Sequence, residues 1–533
     1  MIELHDIVPN IKELPSQFAD RLGVAYTSTV TNGHKKENGQ FFTPFGISKF
    51  MGDLATYSKP SLNILDPGCG VLILSCSLIE SLINRFPFIE SISLAAYETD
   101  LNLIPFTQKA IDYLYNWTAN RNIKFKCSLI TEDFILANQS CFQQSNSLFD
   151  EPISEIYDIV ISNPPYFKIS KDDKRAIIAK SIVYGQPNIY SVFLMTAARL
   201  LKSDGELIFI TPRSFSSGNY FRAFRSEFFK TIKLDIIHLF DSRRDAFNRD
   251  NILQETLIMK GTKKRLNGFS SPVLLTHSVG IKDLDKPSVK EYQINQLIDF
   301  DSTEKILHLP TSETDEKIIR LFKSWKGNLN KYSIQISTGP VVSFRSTKFL
   351  FEKYSNDENL RLVPLYQLHN TSKMQFMWPF PKKGKPQYIH SCDDSKTLLL
   401  PNKNYIFLRR FSAKDDKSRL VATPYFADIN QAEHIGVENH LNYIYRPKGH
   451  LDRNEILGLS ALLNSNLFDQ YFRTFNGNIN VSATELREMP LPPLEDIKEI
   501  GNQIILKNDF SQNAVDDVVQ YHFRLIEIFV PNE

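Results

Sequence analysis

The 533 residues of the chain suffice for about two to four domains, at roughly 150 residues each. A hydrophobic fraction of 42% and a charged fraction of 23% exclude a largely disordered chain, and no apolar run reaches the roughly 18 residues of a membrane span. The net charge of +2 excludes an overall polycation, so a surface for nucleic acid depends on where the charges lie.

The N-terminal segment, MIELHDIVPNIKELP, lacks the basic start and the apolar core of a signal peptide. None of the five cysteines has the CxxC spacing of a zinc site or a redox motif. We therefore predict a reducing, cytoplasmic location without membrane association, disulfides or bound metal. These cysteines are Cys69, Cys76, Cys127, Cys141 and Cys392.

The first 265 residues alternate strand-like and helix-like segments. Several of the strand-like runs are continuously apolar, as in strands that are covered on both faces. The clearest helical pattern spans 189–202, with Asn188 as its N-cap. The alternation predicts an α/β fold with a doubly wound, largely parallel sheet, whose strands lie at 62–65, 92–97, 124–130, 157–162, 206–211, 234–239 and 252–259.

The pattern changes after this region. Short β-like runs rich in proline, asparagine and aromatic residues follow a connector whose better helix is predicted at 314–325, and residues 451–475 are predicted to form one or two helices. A final helix is predicted from Gln512 to near Ile528. The organisation predicted is a catalytic domain, a connector, a mixed α+β recognition domain and a C-terminal linker with a helix, at 1–265, 266–330, 331–490 and 491–533.

A polar turn follows the predicted strand at 157–162, where the sequence reads YDIVIS and then NPPY. Ligands of open α/β sheets bind at the carboxyl ends of strands. Because two prolines hold this turn extended, the Asn163 side-chain oxygen and the Pro164 carbonyl can aim at one point. Two converging acceptors suit an exocyclic NH2 group, and Tyr166 adds a flat face for a planar ring. The candidate catalytic residues are Asn163, Pro164, Pro165 and Tyr166.

A glycine turn follows the first predicted strand, where residues 63–75 read NILDPGCGVLILS. Gly68 and Gly70 let the backbone approach a ligand closely, and Asp66 can accept from a cationic or amino-bearing ligand. The turn is not the GxGxxG of a dinucleotide site, because Leu72 stands where a second glycine would follow Gly70.

Acidic residues follow the next two predicted strands. Glu98, in AAYETD, stands where an acid binds ribose hydroxyls in doubly wound folds. Asp133 and Phe134, in TEDF, pair an acceptor for an adenine amino group with a ring that can pack on the base. Taken together and in this order, these residues predict a cleft for an adenosine-containing ligand.

These motifs resemble those of the gamma-class DNA adenine-N6 methyltransferases, the TaqI-like group that uses S-adenosylmethionine. The segment GQFFTP at 39–44 is similar to the family's N-terminal motif, and DPGCG, YETD, TEDF and NPPY follow in the family's order. The likeness is specific over 39–260 and looser up to 490. It implies a Rossmann-like methyltransferase sheet followed by a mixed α+β target-recognition domain, with S-adenosylmethionine as cofactor.

The resemblance also implies a role for each motif. Phe247, in AFNRDNILQETLIM, is the candidate for stacking on the target base opposite Tyr166. The family usually has a small residue where this chain has Leu72, which is expected to narrow the methionine pocket. The implied cofactor residues are Thr43 and Pro44 at the methionine end, Asp66, Gly68 and Gly70 in the methionine-side turn, Glu98 at the ribose, and Asp133 and Phe134 at the adenine.

The activity implied is methyl transfer to N6 of an adenine that is flipped out of duplex DNA. The partners expected are double-stranded DNA and a separately encoded restriction endonuclease, with the enzyme acting as a monomer. Residues 341–450 carry 17 lysines and arginines against 10 acidic residues, which supports phosphate contacts there. The candidate DNA-binding residues are Lys382, Lys383, Lys385, Arg409, Arg410, Lys414, Lys417 and Arg419.

Four alternatives remain open at this stage. Cytosine-N4 methylation needs the same kind of pocket, although a serine at the position of Asn163 would favour it more. Glutamine-N5 methyltransferases of proteins also carry NPPY, but on shorter chains. A DNA-binding scaffold with a degenerate cofactor site is the third, and a fused restriction–modification enzyme is the fourth. The 38 residues before GQFFTP are too few for a nuclease domain.

Overall fold

The structure is a computed structural model that describes residues 4–31, 33–35, 39–142, 155–185, 187–241, 255–264, 272–357, 359–412 and 416–525. The chain divides into two compact units, Met1–Leu307 and His308–Glu533. Among the described residues, no helix has both the length and the apolar character needed to cross a membrane.

The first unit is built on a nine-stranded sheet in the order β3-β2-β1-β4-β5-β7-β6-β8-β9. Strands β1 to β5 run parallel, and β7 is antiparallel to both of its neighbours. The predicted doubly wound α/β sheet is therefore confirmed. The strands are β1 Ser61–Pro67, β2 Ser91–Tyr97, β3 Lys124–Ile130, β4 Tyr157–Ser162, β5 Leu201–Pro212, β6 Ile232–Phe240, β7 Thr256–Lys263, β8 Val273–Ser278 and β9 Ser288–Tyr292.

Helices connect the parallel strands. The N-cap predicted at Asn188 is confirmed, since its side chain accepts a hydrogen bond from the Tyr190 backbone N–H. The helix after it ends at Leu200 rather than Lys202, because Leu201 already pairs with Tyr157 of β4. The helices are α1 Pro15–Thr29, α2 Phe45–Asp53, α3 Ile73–Arg85, α4 Ile104–Ala119, α5 Phe134–Ala137, α6 Lys174–Ile178, α7 Ile189–Leu200, α8 Arg222–Thr231 and α9 Ile294–Leu297.

The second unit combines small sheets, the larger two in the orders β10-β20-β17-β18 and β11-β15-β12-β19-β16, with β13 pairing β14. The mixed α+β class predicted for this part is confirmed. The strands are β10 Gln335–Thr338, β11 Leu350–Phe351, β12 Leu362–Tyr366, β13 Thr371–Ser372, β14 Gln375–Phe376, β15 Tyr388–His390, β16 Leu399–Pro401, β17 Tyr405–Arg409, β18 Ala422–Tyr425, β19 His434–Val437 and β20 Leu441–Tyr445.

The helices Arg453–Asn464 and Leu494–Lys507 of this unit cross with their backbones in contact at Gly458 and Gly501. A Cβ atom at Gly458 would lie 1.8 Å from the Ile497 carbonyl oxygen, so the crossing excludes any larger residue. Residues 451–475, for which one or two helices are predicted from the sequence, form two. The helices are α10 Glu313–Ser324, α11 Arg453–Asn464, α12 Asn466–Arg473, α13 Ala483–Glu488, α14 Leu494–Lys507 and α15 Gln512–His522.

Candidate functional site

The two predicted motif turns meet at the centre of the large sheet. Strands β1 and β4 are parallel neighbours, with Leu65 beside Val160, so that their carboxyl ends share one edge. The strand order reverses at this pair, which is where open α/β sheets bind ligands. The Ser162 hydroxyl donates to the Pro67 carbonyl and ties the end of β4 to the end of β1.

The side-chain amide of Asn163 is held by the GQFFTP segment. Its Nδ2 donates to the Phe41 carbonyl at 2.9 Å and to the Thr43 Oγ1 at 3.1 Å. Its Oδ1 lies within hydrogen-bond distance of the Tyr166 hydroxyl. This pattern orients the amide, because only Nδ2 can donate to the two oxygens of the GQFFTP segment. Thr43, predicted to hold the cofactor, is buried and accepts a hydrogen bond that positions Asn163.

Tyr166 is enclosed by aromatic neighbours. Its ring stacks on Phe41 at a centroid distance of 6.0 Å and an angle of 22°, and Tyr190 meets it edge-on. Burial raises the pKa of the Tyr166 hydroxyl well above its usual range, so the group is neutral at physiological pH. The hydroxyl also lies 2.9 Å from the Ile210 carbonyl, and its single proton serves one acceptor at a time. One face of the Tyr166 ring therefore packs against Phe41.

A cavity of about 380 Å³ opens beside these turns. Its volume falls in the range of small-molecule sites. Several residues that line the cavity were not predicted as site residues from the sequence, among them Phe41, Asp100, Phe167, Arg175 and Phe193. The predicted residues that line it are Thr43, Gly68, Gly70, Glu98, Asp133, Phe134, Asn163 and Pro165, whereas Pro44, Asp66, Pro164 and Tyr166 are not among its lining residues.

The glycine turn is organised by Glu98. Gly68 and Gly70 adopt φ values of +78° and +55°, a region that favours glycine. The Glu98 carboxylate accepts from the Gly70 N–H at 3.1 Å and from the Asp100 N–H at 2.8 Å. Burial raises the pKa of Glu98, although these backbone N–H groups counteract it. The predicted ribose acid thus also stabilises the turn that forms the cavity floor.

Leu72 does not narrow the cavity, so that expectation is wrong. The residue caps α3 in the left-handed conformation, at φ +69°. Its side chain is fully buried in the hydrophobic core and is not among the lining residues of the cavity. The core on the far side of the turn accommodates the larger side chain, while Gly70, Val71 and Ile73 face the cavity.

Asp66 is buried beneath the turn. Its Oδ2 accepts from the Ser75 hydroxyl at 2.7 Å, and its Oδ1 has no hydrogen-bond partner among the described residues. Burial raises the pKa of this carboxyl from 3.8 to about 7. The protonation state of Asp66 therefore changes within the physiological pH range.

We expect the Asp66→Asn variant to lose a pH dependence of folding stability. The folded protein keeps a proton on Asp66 that the unfolded chain releases near pH 4, so wild-type stability falls as the pH rises from about 4 to about 7. The loss is roughly 4 kcal/mol at most, and a carboxamide has no such titration. Thermal denaturation of both proteins at pH 5 and pH 8 measures it. Equal shifts in the two proteins would contradict the assignment.

The predicted adenine residues lie at one end of the cavity. Asp133 caps α5, its Oδ1 accepting from the backbone N–H groups of Ile135 and Leu136 at 2.9 and 3.0 Å. Phe134 is buried and contacts the rings of Tyr97 and Phe193 at 5.1 and 5.2 Å. One carboxylate oxygen is thus engaged by the helix, and the aromatic cluster, whose rings are tilted by 70° and 45° to that of Phe134, forms an apolar wall beside it.

Asp100 joins the cavity wall to the N-terminal segment, a role that its sequence neighbours do not reveal. Its Oδ2 accepts from the Tyr26 hydroxyl, from His34 Nε2 at 2.8 Å and from Gln40 Nε2 at 2.6 Å. Burial would raise the pKa of Asp100, but these hydrogen bonds lower it overall. An ionised carboxylate thereby fastens the GQFFTP segment over the cavity.

The candidate DNA-binding cations of the second unit divide by exposure. Lys382, Lys383 and Lys385 are exposed on a tight turn, as is Lys417 in its own loop. Arg409 and Arg410 are half-buried, and their guanidinium groups donate to the backbone carbonyls of Thr371 and Asn439. Lys414 and the stacking candidate Phe247 lie outside the described residues.

Arg419 is not available for phosphate, which corrects its prediction as a DNA contact. Its exposed fraction is 1%. The guanidinium donates to Ser412 Oγ at 3.0 Å, to Asn476 Oδ1 at 2.7 Å and to the Asn478 carbonyl. Burial with these partners makes it a structural cation that joins the loop before β18 to the segment after α12.

The residues of the cavity fit S-adenosylmethionine. The ligand's adenine amino group and ribose hydroxyls are donors, and the cavity presents the carboxylates of Glu98 and Asp133. Its flat purine matches the ring of Phe134, and the turn at Gly68 and Gly70 allows close approach of the chain.

The chain is similar in sequence to known proteins over nearly its whole length. Residues 74–247 match the Eco57I restriction-modification methylase model. The chain is 30% identical over 507 residues to the type II methyltransferase M.PstI of Providencia stuartii, covering 95% of this chain and 97% of that protein. It belongs to the type II methyltransferases of restriction–modification systems. M.BsuBI of Bacillus subtilis is 31% identical over 479 residues, covering 89% of this chain and 91% of the relative.

Membership of this family makes the chain a DNA methyltransferase of a restriction–modification system. S-adenosylmethionine, the cofactor predicted from the sequence, is confirmed as its methyl donor. The assignment excludes the reading as a protein glutamine-N5 methyltransferase, since type II methyltransferases act on DNA.

Proposed function

We propose that this type II methyltransferase moves the methyl group of S-adenosylmethionine to N6 of an adenine in duplex DNA. The observation that carries the proposal is the position of Asn163, whose oriented amide stands on the wall of the cofactor cavity within the NPPY turn. The resemblance of the motifs to gamma-class enzymes supports adenine as the base. An asparagine at this position, rather than a serine, favours adenine over cytosine.

The chemistry proposed is one in-line transfer without a covalent enzyme intermediate. The bond from N6 to the methyl carbon forms as the carbon–sulfur bond breaks, the sulfur leaves as a neutral thioether, and the methylated nitrogen releases its extra proton to water. When bound, S-adenosylmethionine supplies an electrophilic methyl group on its sulfonium. The Asn163 Oδ1 and the Pro164 carbonyl accept hydrogen bonds from the amino group and stabilise the positive charge that develops on its nitrogen. The GQFFTP segment keeps the Asn163 amide oriented for this contact.

A base within a duplex cannot reach a cavity of this kind, so the target must leave its stack, at a cost of a few kcal/mol. We propose that it enters beside Tyr166, where Asn163 Oδ1 exchanges the tyrosine hydroxyl for the amino group of the base. The hydroxyl retains the Ile210 carbonyl as an acceptor at 2.9 Å, so the exchange leaves no buried donor unpaired.

Target recognition is proposed for residues 331–490, with the catalytic role for 1–265 and a separately encoded endonuclease as the partner in restriction. The exposed turn of Lys382, Lys383 and Lys385 is the part of the second unit best suited to phosphate. A hydrogen bond from the Lys385 N–H to the Lys382 carbonyl, at 3.0 Å, closes the turn that carries the three lysines.

Replacing these three lysines with alanine is expected to weaken DNA binding and its dependence on salt. The slope of log Kd against log salt should fall by about 0.9 for each lysine that contacts phosphate. Fluorescence anisotropy with a labelled duplex at several salt concentrations measures the slope. The matched control replaces the exposed Lys353, Lys396 and Lys403 with alanine. If the slope changed equally in both triple variants, the lost net charge alone would explain the effect, and the proposed phosphate contacts of this turn would be contradicted.

The decisive test of the proposed function identifies the methylated base. The purified protein is incubated with labelled S-adenosylmethionine and unmodified duplex DNA, and the DNA is digested to nucleosides. Label in N6-methyladenosine is the expected result. Label in N4-methyl-2′-deoxycytidine would leave the site assignment intact and change the target base to cytosine. Absence of both label and cofactor binding would favour a DNA-binding scaffold with a degenerate cofactor site.

A further inference from the structure

A cation lines the adenine end of the cofactor cavity. Arg175, in the short helix α6, shares the cavity wall with Asp133, Phe134 and Phe167. It comes from the segment after the NPPY turn, whereas Asp133 follows β3. Two segments far apart in sequence therefore converge on this end of the cavity, and no motif of the sequence singles out the arginine.

The contacts of Arg175 join its own helix to the predicted adenine acid. Its Nε and Nη2 donate to the carboxylate of Asp173 at 2.9 and 2.6 Å. Its Nη1 lies 3.5 Å from Asp133 Oδ2, the carboxylate oxygen that the cap of α5 does not use. The bidentate pair with Asp173 holds the guanidinium plane in place, and the longer contact with Asp133 is the one that a ligand can replace.

The guanidinium also lies near an aromatic ring of the cavity, an arrangement that suits a purine. It lies 5.7 Å from the centroid of the Phe167 ring, which lines the same cavity. A guanidinium group stacks on aromatic planes as a lysine ammonium does not, because it is planar, delocalised and weakly hydrated. Arg175 is also partly enclosed, with 23% of its side chain exposed, so water screens such a contact only in part.

We propose that Arg175 is a cofactor-binding residue that packs its guanidinium plane on the adenine of S-adenosylmethionine, while Asp133 Oδ2 accepts from the adenine amino group. The inference rests on the cofactor assignment and extends it to the segment after the NPPY turn. That segment also carries Phe167 and leads into α7. Bound adenine thereby draws the two segments together at this end of the cavity.

The test measures affinity for S-adenosylmethionine and for 5′-methylthioadenosine, which keeps the adenosine but lacks the amino acid. We expect Arg175→Ala to raise Kd for both ligands by the same factor, about tenfold, as one cation–π contact of about 1.4 kcal/mol predicts. Arg175→Lys should bind both ligands about as weakly as Arg175→Ala does, because lysine keeps the positive charge but lacks the planar guanidinium group. Isothermal titration calorimetry gives both constants.

Two controls separate binding from support of the helix. Lys174→Ala changes the exposed neighbour in α6 and should bind as wild type does. Asp173→Asn weakens the local pair but keeps the guanidinium, so it should lose less affinity than Arg175→Ala. Equal losses for Asp173→Asn and Arg175→Ala, or wild-type affinity in Arg175→Ala, would overturn the proposal. Absence of binding by the wild type would instead overturn the cofactor assignment itself.

Discussion

Replacing Asn163 with alanine is expected to lower kcat for methyl transfer by about 10²–10³-fold while leaving Kd for S-adenosylmethionine nearly unchanged. The variant removes a preorganised acceptor for the amino group, and such dipoles act mainly in the transition state. Cofactor affinity should persist, because Glu98, Asp133 and Phe134 remain. Single-turnover methyl transfer and calorimetric titration of the cofactor provide the two numbers.

The matched control for this variant is Asn116→Ala, on the exposed face of α4. It removes the same carboxamide from a helix surface and should leave kcat unchanged. A loss of activity in Asn163→Ala that is matched by a loss of cofactor affinity would contradict the proposed role. It would show that the amide acts by holding the GQFFTP segment through Phe41 and Thr43.

Replacing Glu98 with alanine is expected to raise Kd for S-adenosylmethionine by about 10–100-fold. The variant removes an acceptor for the ribose hydroxyls and leaves the N–H groups of Gly70 and Asp100 without their carboxylate. An unsatisfied buried N–H costs about 1–3 kcal/mol, so the glycine turn loses its shape as well as its ligand. Titration calorimetry measures the affinity.

The exposed Glu90, directly before β2, provides the control for Glu98. Glu90→Ala should bind the cofactor as the wild type does. The pH profile adds a second readout, because burial raises the pKa of Glu98 and its ionised form is the acceptor. Wild-type affinity should therefore fall at acidic pH, and a profile that persists unchanged in Glu98→Ala would assign the titration to another group.

The large sheet and the positions of its turns could be predicted from local sequence. Strand β4 reads YDIVIS, a mostly apolar run bounded by a polar turn, and burial on both faces of a parallel sheet favours that pattern. The order of the motifs then places Asn163 beside the glycine turn, since β1 and β4 are neighbours.

Contacts between distant segments could not be predicted in this way. Asp100 meets Tyr26, His34 and Gln40 from more than 50 residues away, and the YETD motif that it ends does not predict these contacts. Arg419 stands in a basic stretch and was predicted to bind phosphate, yet the polar groups of a distant segment bury it. Charge patterns indicate how many cations a region has, whereas only tertiary packing decides which of them face solvent.

Because Phe41 already stacks on Tyr166, a base that enters as proposed replaces one aromatic contact of Tyr166 with another. A base that leaves the duplex loses its stacking neighbours, and it gains the face of Tyr166 only by displacing a ring already there. Aromatic contact is then nearly conserved across the step and contributes little net driving force. The selectivity then depends on the hydrogen bonds proposed at Asn163 and Pro164, which together need the two N–H donors of one amino group. Thymine offers only one N–H donor to these two acceptors, so the aromatic pair of Phe41 and Tyr166 acts as a competitor that selects for amino-bearing bases.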